Sequence, residues 1–330
     1  MTLSAFSTYD SLLFDLDGTV WEGGRLLPFA QEVITNAPVP VMYITNNASR
    51  HPDVVAQMLT DMGIPTSSGQ VVTSAQTAVE FATEQFPEGG NIYVLGTQSF
   101  KDLATAAGFT VVESADDEPV VVLHGHNPET GWAQLSEAAL SIRKGARYFA
   151  SNLDSTLPME RGFMVGNGSM VAAVSHATGV VPQAAGKPEP AMFYSAIKKL
   201  GATNALAIGD RLNTDIAGGV AAGLDSLHLL TGVSKHWELL RAPAAHRPTY
   251  IATSLQDLTT PLEVLRPQTQ GGFEVSFDGD DIVVDGGDTS ATAVELLRSV
   301  LVYAWQSPES YTGEIRCVSS VSQQLLQQWV

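Results

Sequence analysis

The sequence predicts an α/β protein, with a Rossmann-like doubly wound parallel-sheet core, an inserted α/β domain and a small α+β C-terminal appendage. Short β-branched runs alternate with amphipathic segments of helix length, which is typical of largely parallel sheets. Three of the runs end in polar clusters, and ligands of open parallel sheets collect outside the carboxyl ends of strands. The predicted strands are residues 11–14, 39–44, 92–95, 120–123, 147–150, 205–208 and 227–230.

The length of 330 residues exceeds that of a usual single domain. The middle of the chain has strands and helices of its own but lacks comparable carboxylates at strand ends, so we interpret it as an insertion. The predicted division is a core from residues 1–77 and 180–265, an inserted domain from 78–179, and an appendage from 266–330.

The appendage begins with a predicted linker at residues 267–272. A hairpin at 273–284, a helix at 291–306 and a last strand near Ile315 follow. Residues 267–330 carry nine acidic and two basic side chains, and this charge favours an independent, solvated appendage.

The composition excludes several classes of protein. The net charge is −18, from 17 basic and 35 acidic side chains, whereas nucleic acids and anionic membranes are bound by clustered lysine and arginine. A single cysteine, Cys317, excludes an intrachain disulfide framework and a cysteine zinc site. No apolar run approaches the roughly 18 residues that span a bilayer. We therefore expect a cytoplasmic protein without nucleic-acid or membrane partners, and leave open whether it forms a homo-oligomer.

An acidic pair follows the first predicted strand. Asp15 and Asp17 flank Leu16, and Gly18 then allows a sharp turn. The two-residue period of an extended chain would place both carboxylates on the same side. Such a pair suits covalent phosphoryl transfer, in which one carboxylate attacks phosphorus while the other protonates the leaving oxygen and later activates water. For this motif alone, the alternative is an ordinary acidic turn.

Other clusters supply the groups that such chemistry needs. Asp210 follows another predicted strand, and Asp215 lies five residues further on, where a carboxylate also favours a helix N-terminus. Thr45 and Asn46 follow the strand at residues 39–44. They either donate hydrogen bonds to phosphate oxygens or simply cap a helix N-terminus. Since carboxylates gathered at one sheet edge repel each other, we expect them to bind Mg²⁺.

A positive charge for the phosphate is expected from Lys187. This lysine precedes Pro188 and a predicted helix that begins near Glu189. Its ammonium group could stabilise both the nucleophile and the phosphoryl group. In isolation, a lysine is more often a solvated surface residue.

In chain order, these clusters resemble the four motifs of the haloacid dehalogenase superfamily of phosphatases, over roughly residues 9–260. The resemblance implies a phosphoric monoester hydrolase that uses Mg²⁺. The implied roles are Asp15 as nucleophile, Asp17 as general acid/base, Thr45, Asn46 and Lys187 as phosphate-binding residues, and Asp15, the Asp17 carbonyl and Asp210 as metal ligands, with Asp215 as a ligand or a supporting group.

The insertion between Thr45 and Lys187 resembles the large α/β cap of the NagD-type, nitrophenylphosphatase-like subfamily. In that subfamily the cap closes over the core and its loops select the leaving group. The resemblance implies cap residues that face the substrate, and the candidates are His126, Asn152, Asp154 and Asn167.

After the cap strand at residues 120–123, the chain reads His124-Gly125-His126 where many relatives have an acidic residue. This variant is similar to actinobacterial members that resemble glycerol 3-phosphate phosphatases. The two histidines either contact substrate or metal, or cap the strand end. Some such relatives carry a small acetyltransferase-like C-terminal piece, and the appendage here, at about 64 residues, is too short for a complete acetyltransferase.

The expected function is hydrolysis of a small phosphorylated metabolite, glycerol 3-phosphate or a sugar phosphate, through an aspartyl-phosphate intermediate. Aryl phosphates, nucleotides and phosphoglycolate are alternative substrates on the same core. Transfer of the phosphoryl group to another acceptor uses the same carboxylates. A non-catalytic sensor of a phosphorylated ligand is the third alternative, although such a protein would not need Asp17.

Overall fold

The structure, a computed structural model, describes residues 3–159 and 161–330. Its strands are β1 (Ser11–Phe14), β2 (Trp21–Glu22), β3 (Arg25–Leu26), β4 (Val41–Thr45), β5 (Val71–Thr73), β6 (Gly90–Leu95), β7 (Phe109–Val112), β8 (Val121–His124), β9 (Arg147–Ala150), β10 (Thr156–Met159), β11 (Gly162–Val165), β12 (Gln183–Ala184), β13 (Ala205–Gly209), β14 (Asp225–Leu229), β15 (Tyr250–Ala252), β16 (Phe273–Asp278), β17 (Asp281–Gly286) and β18 (Ile315–Cys317).

Most helices alternate with these strands. The α-helices are α1 (Ala5–Thr8), α2 (Ala30–Thr35), α3 (Pro52–Asp61), α4 (Ser74–Gln85), α5 (Gln98–Ala106), α6 (Trp132–Arg143), α7 (Asn167–Thr178), α8 (Ala191–Leu200), α9 (Ala217–Ala221), α10 (His236–Leu240), α11 (Ala293–Ala304) and α12 (Ser320–Leu326). Short 3₁₀ segments are Ser68–Gln70, Ala115–Asp117, Ala244–His246, Leu255–Thr259 and Leu262–Leu265, and Leu212–Ile216 is a π-helical turn.

The described chain divides into two compact units. The first contains the residues up to Tyr43, Met62–Ile64 and Ile197–Val330, and the second contains Ile44–Asp61 and Pro65–Ala196. The boundaries that we place at residues 77, 180 and 266 stay a prediction. None of the helices within the described residues has the length and apolar character needed to cross a bilayer.

The first unit is built on a parallel sheet with the strand order β15-β14-β13-β1-β4, in which β4 contributes Val41–Tyr43. Strands β1, β13 and β15 are buried along their whole length, as expected of parallel strands covered on both faces. Phe14 pairs with Ile208 on one side and with Tyr43 on the other. The carboxyl ends of β1 and β13 therefore lie side by side.

The second unit contains a parallel sheet of its own, ordered β12-β9-β8-β6-β7, and the hairpin β10-β11. Apolar residues of α4 and α5 share a core with one face of this sheet, and those of α6 and α7 share a core with the other. The sheet is thus itself doubly wound. The predicted α/β fold class, with its inserted α/β cap, is confirmed.

All seven predicted strands are present, and their ends differ by at most two residues from the prediction. The starts of β4, β6 and β14 each differ by two residues, and β4 begins at Val41 and not at residue 39. Pro40 directly precedes this strand, and a proline has no N–H to donate to a sheet.

The C-terminal segment, defined as residues 267–330, has the predicted hairpin, helix and last strand, as β16-β17, α11 and β18. Its expected independence is wrong. Leu296, Leu297 and Leu301 of α11 lie in one hydrophobic cluster with Leu239 and Ile251 of the first unit. Composition misled here because the acidic side chains alternate along the hairpin with buried apolar ones.

A buried arginine strengthens this attachment. The Arg298 side chain is 5% exposed, and its Nε and Nη2 atoms donate to the backbone carbonyl of Ile251 over 3.2 and 2.6 Å. Gln270 of the predicted linker is also fixed, because its backbone N–H donates to Ser299 Oγ. The segment is therefore part of the first unit's core.

Candidate active site

Three carboxylates meet at the carboxyl ends of β1 and β13. The backbone N–H of Asp15 donates to Ile208 O over 2.9 Å, which continues the pairing of the two strands by one residue. One oxygen each of Asp15, Asp210 and Asp215 lies within 4.8 Å of the others. Asp15 is half-buried, while Asp210 and Asp215 are buried. The structure thus brings together three of the predicted acidic residues.

Backbone and hydroxyl donors hold the Asp210 carboxylate. Thr19 Oγ1 donates to its Oδ1 over 3.2 Å, and the N–H of Val233 donates to its Oδ2 over 2.6 Å. Ser234 N–H also donates to the Asp210 carbonyl. Hydrogen bonds to an ionised carboxylate favour its charged form and fix its orientation. These donors therefore fix the orientation of the Asp210 carboxylate.

The turn after β1 needs glycine, as the sequence indicates. Gly18 has φ +92°, and a Cβ there would lie 2.6 Å from Asp210 Oδ2. Thr231 Oγ1 donates to the Gly18 carbonyl over 2.7 Å and so ties this turn to the segment after β14. A side chain at position 18 would displace the carboxylate.

Asp215 lies in the π-helical turn Leu212–Ile216. Its Oδ2 accepts hydrogen bonds from the backbone N–H groups of Asp210 and Arg211, over 3.2 and 3.0 Å. Asp215 therefore supports the backbone of Asp210 in addition to lying near the other two carboxylates. Its service as a direct metal ligand stays a prediction.

Asp17 takes a different position from Asp15. Its side chain is exposed, and its Oδ1 accepts a hydrogen bond from Trp21 Nε1 over 2.8 Å. The strand ends at Phe14, so the extended geometry that would align the two carboxylates does not continue to Asp17. Its roles as acid/base and carbonyl ligand stay predictions.

The acidic cluster fits a small hard cation. Mg²⁺ prefers carboxylate oxygens and usually retains water ligands in its octahedral shell. Three carboxylates in close approach would otherwise repel one another. Asp15 and Asp210, which directly follow β1 and β13, and Asp215 of the π-helical turn supply suitable ligand atoms.

The predicted phosphate-binding residues lie in the second unit. Asn46 Oδ1 accepts from Lys187 N–H over 2.8 Å, and Asn46 Nδ2 donates to Lys187 O over 3.0 Å. Lys187 is 3% exposed, and its Nζ donates to Ile44 O over 3.0 Å. It is therefore not the solvated surface residue that a lone lysine would suggest. Thr45 is buried, and its Oγ1 accepts from Asn47 N–H over 3.1 Å.

Three of the four cap candidates join this group. Asn152 Nδ2 donates to Asn46 O over 2.8 Å, and Asn46 Nδ2 also donates to Asp154 Oδ2 over 3.2 Å. Asn167 Nδ2 donates to the carbonyls of Asn152 and His124, over 2.8 and 3.2 Å. The amide hydrogens of Asn152 and Asn167 thus fix backbone segments. Substrate contacts by these residues and by the partly exposed His126 stay predictions.

His124 is buried and hydrogen-bonded to a neighbouring side chain. It is the last residue of β8, it is 1% exposed, and its Nδ1 is hydrogen-bonded to Tyr148 Oη over 2.8 Å. Burial lowers the pKa of His124 to about 3. Of the two interpretations of the histidine pair, the environment of His124 favours the structural one.

Sequence reasoning missed the segment Thr231–Ser234 after β14. Its backbone and side chains contact Gly18, Asp210 and Leu212, which makes it the third wall of the acidic cluster. The sequence does contain an indication of this segment, since the polar, glycine-containing run follows a predicted strand, as the other motifs do. The omission arose because it contains no carboxylate.

Replacing Gly232 by alanine should weaken cation binding. A Cβ at this position would lie 1.8 Å from Asp210 Oδ2, so the carboxylate must move, whereas the backbone conformation itself tolerates alanine. Mutation of the groups that support a metal ligand typically lowers metal affinity by about 10- to 100-fold. Calorimetric titration with Mg²⁺ measures the change, with Gly69→Ala as control because only Ser67 Oγ lies near that position, at 3.8 Å. Equal affinities in both variants would contradict the assignment.

Stability should fall on acidification because of His124. Its unfolded pKa is about 6.5 and burial lowers its folded pKa to about 3, so the unfolded state binds more protons between these values. The free energy of unfolding therefore decreases as pH falls from about 6.5, by up to about 1.4 kcal/mol per pH unit. His228, whose pKa burial lowers to about 4, adds a contribution of the same sign.

Urea denaturation at several pH values tests this dependence. His124→Gln should remove one histidine's share of the slope, whereas Tyr148→Phe, which keeps the imidazole buried, should retain it. An unchanged slope in His124→Gln would show that the residue does not titrate as described.

Comparisons with known proteins identify the family of this chain. The family model described as Haloacid dehalogenase-like hydrolase matches residues 12–110, and a HAD-hydrolase-like model matches residues 184–258. A D-glycerol 3-phosphate phosphatase of Mycobacterium tuberculosis is 39% identical over 305 residues, which are 91% of this chain and 86% of that protein. An acid sugar phosphatase of Staphylococcus saprophyticus is 35% identical over 260 residues, 77% of this chain and 98% of that protein.

Solved structures give the same result. A glycerol phosphate phosphatase of Mycobacterium tuberculosis in complex with magnesium superimposes with a TM-score of 0.94 and 37% identity, and the match covers 100% of this chain and 99% of that one. A thermostable NPPase of Geobacillus stearothermophilus gives a TM-score of 0.70 and 32% identity, and that match covers 77% and 99%. The chain belongs to the haloacid dehalogenase-like hydrolases and is a phosphoric monoester hydrolase.

Proposed function

We propose that this protein is a Mg²⁺-dependent phosphatase that hydrolyses glycerol 3-phosphate, or a similarly small phosphorylated polyol or sugar, through an aspartyl-phosphate intermediate on Asp15. The observation that carries the proposal is the convergence of Asp15, Asp210 and Asp215 at two adjacent strand ends. The substrate class rests on the relatives. The one named for glycerol 3-phosphate matches 91% of this chain, whereas the one named for acid sugars matches 77%.

Asp15 is proposed as the nucleophile because it lies at the rigid end of β1 and is less buried than Asp210 or Asp215. Its carboxylate oxygen would form a bond to phosphorus while the bond between phosphorus and the ester oxygen breaks. Asp17 would donate a proton to that departing oxygen and release the alcohol.

The second half of the reaction returns the enzyme to its starting state. Asp17 would take a proton from water as the water oxygen attacks the phosphorus of the aspartyl phosphate. Inorganic phosphate leaves and the Asp15 carboxylate is regenerated. Trp21 Nε1 orients Asp17 through Oδ1, so we assign proton transfer to Oδ2.

The cation would be held by Asp15, the Asp17 carbonyl and Asp210, with Asp215 as a ligand or as support for the Asp210 backbone. When bound, Mg²⁺ neutralises charge on the carboxylates and on the transferring phosphoryl group. Asp210 would keep its orientation throughout, because Thr19 and Val233 donate hydrogen bonds to its two oxygens.

Thr45, Asn46 and Lys187 are proposed to bind the phosphate oxygens. Burial of Lys187 in a hydrogen-bonded setting restricts its ammonium group and so favours a fixed interaction with an anion. His126, Asn152, Asp154 and Asn167 are proposed to shape the part of the cap that meets the leaving group. A cytoplasmic location also stays a prediction.

Asp15→Asn should abolish turnover of glycerol 3-phosphate and of an aryl phosphate, because an amide cannot act as the nucleophile. Asp17→Asn should lower the rate by about 10²- to 10⁴-fold, the usual contribution of general acid–base catalysis. Phosphate release measures both effects. Asp10→Asn is the matched control, since the Asp10 carboxylate accepts hydrogen bonds from Thr203 and Asn204 at the start of β1 and has no part in the reaction.

Full activity of Asp15→Asn would overturn the nucleophile assignment. Adding an alcohol acceptor to the wild-type assay distinguishes hydrolysis from transfer, because transfer would yield a new phosphate ester in place of inorganic phosphate. A protein that releases no phosphate from a broad panel with Mg²⁺ would instead be a sensor.

A further inference from the structure

The C-terminal segment has no part in the chemistry described above. Relatives such as the acid sugar phosphatase match 77% of this chain over nearly their own full length, so the common phosphatase fold does not require the remaining 23%. In this protein, however, the segment shares a hydrophobic core with Leu212 and Ile216 of the π-helical turn that contains Asp215.

The first point of contact is helix α10. This helix has five residues, and so short a helix is not stable in water without tertiary packing. Two tryptophans of the C-terminal segment supply that packing. The Trp329 ring stacks on His236, with centroids 5.6 Å apart, and meets Trp237 edge-on at 5.3 Å. Trp305 Nε1 donates to the Leu239 carbonyl over 3.0 Å.

Helix α10 continues directly from the segment that holds Asp210. His236 is only two residues after Ser234, whose N–H donates to Asp210 O, and three after Val233, whose N–H donates to Asp210 Oδ2. Ser234 Oγ also accepts from Leu212 N–H at the start of the π-helical turn. A shift of His236 would therefore move the donors that orient Asp210.

The π-helical turn itself is the second point of contact. Leu212 and Ile216, which flank Asp215, are 5% and 0% exposed. Both lie in the hydrophobic cluster that contains Leu296 and Leu301 of the C-terminal helix α11. The two backbone segments that place Asp210 and Asp215 thus rest on the same C-terminal core.

We propose that residues 267–330 are a positioning element of the acidic site, and that Trp329 and Trp305 hold α10 and the Thr231–Ser234 segment in the conformation that orients Asp210. The segment touches neither substrate nor cation. The inference rests on the proposed function only where cation binding is the readout.

The test uses the full chain with Trp329→Ala. Affinity for Mg²⁺, measured by calorimetry, should fall about 3- to 30-fold, the range found for residues that influence a site without contacting its ligand. In the metal-free protein, the Val233 and Ser234 amides should exchange their hydrogens faster than in the wild type, because local opening sets exchange. Trp329→Phe, which keeps an aromatic ring against His236, should restore both properties.

Phe273→Ala is the matched control. Phe273 lies in the same hydrophobic cluster and is 2% exposed, compared with 6% for Trp329, but it belongs to β16 and packs near Gly271 and Gly287. Both alanine variants should lose stability in urea. Only Trp329→Ala should change Mg²⁺ affinity and exchange at residues 233–234.

Equal effects of the two variants, or no effect of Trp329→Ala on exchange, would overturn the proposal. If Trp329→Ala does not fold, Trp305→Phe removes the hydrogen bond to Leu239 while keeping an aromatic ring, and should accelerate the same amides. A wild type that binds no Mg²⁺ would refute the proposed cation while leaving the exchange measurement to decide this inference.

Discussion

The repulsion between three carboxylates near the ends of two adjacent strands is the main electrostatic constraint on this protein. Asp15 and Asp210 follow the neighbouring strands β1 and β13, Asp215 lies in the π-helical turn after β13, and one oxygen of each lies within 4.8 Å of the others. Like charges so close disfavour the ionised state unless donors or a cation offset them. Backbone N–H groups and the Thr19 hydroxyl donate hydrogen bonds to these carboxylates, and the carboxylate oxygens are ligands that suit Mg²⁺.

The residues to which we assign chemical roles belong to both compact units. The acids belong to the unit built on β15-β14-β13-β1-β4, and Lys187 with its amide partners belongs to the other unit. Within the second unit, Asn46 joins Lys187 to the predicted cap residues Asn152 and Asp154 through short hydrogen bonds. Hydrogen bonds thereby join residues that are far apart in sequence into one group around the lysine.

Sequence reasoning located the acids because they follow apolar runs of strand length, and parallel strands expose their carboxyl ends at one edge. It did not find Thr231–Ser234, because this segment contains no carboxylate and contacts Asp210 through backbone N–H groups. It also misjudged the C-terminal segment. The net charge reflects the exposed side chains of β16 and β17, whereas the buried Phe273, Ile282 and Val284 determine how the segment packs.

Mg²⁺ binding to the unliganded enzyme tests the central claim most directly. Urea unfolding with and without Mg²⁺, together with calorimetry, should show a gain in the free energy of unfolding of about 2.7 kcal/mol when the cation is at 100 times its Kd. Asp210→Asn, which is close to isosteric, should lose both the binding and the gain. Unchanged stability, no measurable binding and full phosphatase activity in a chelator would contradict the account.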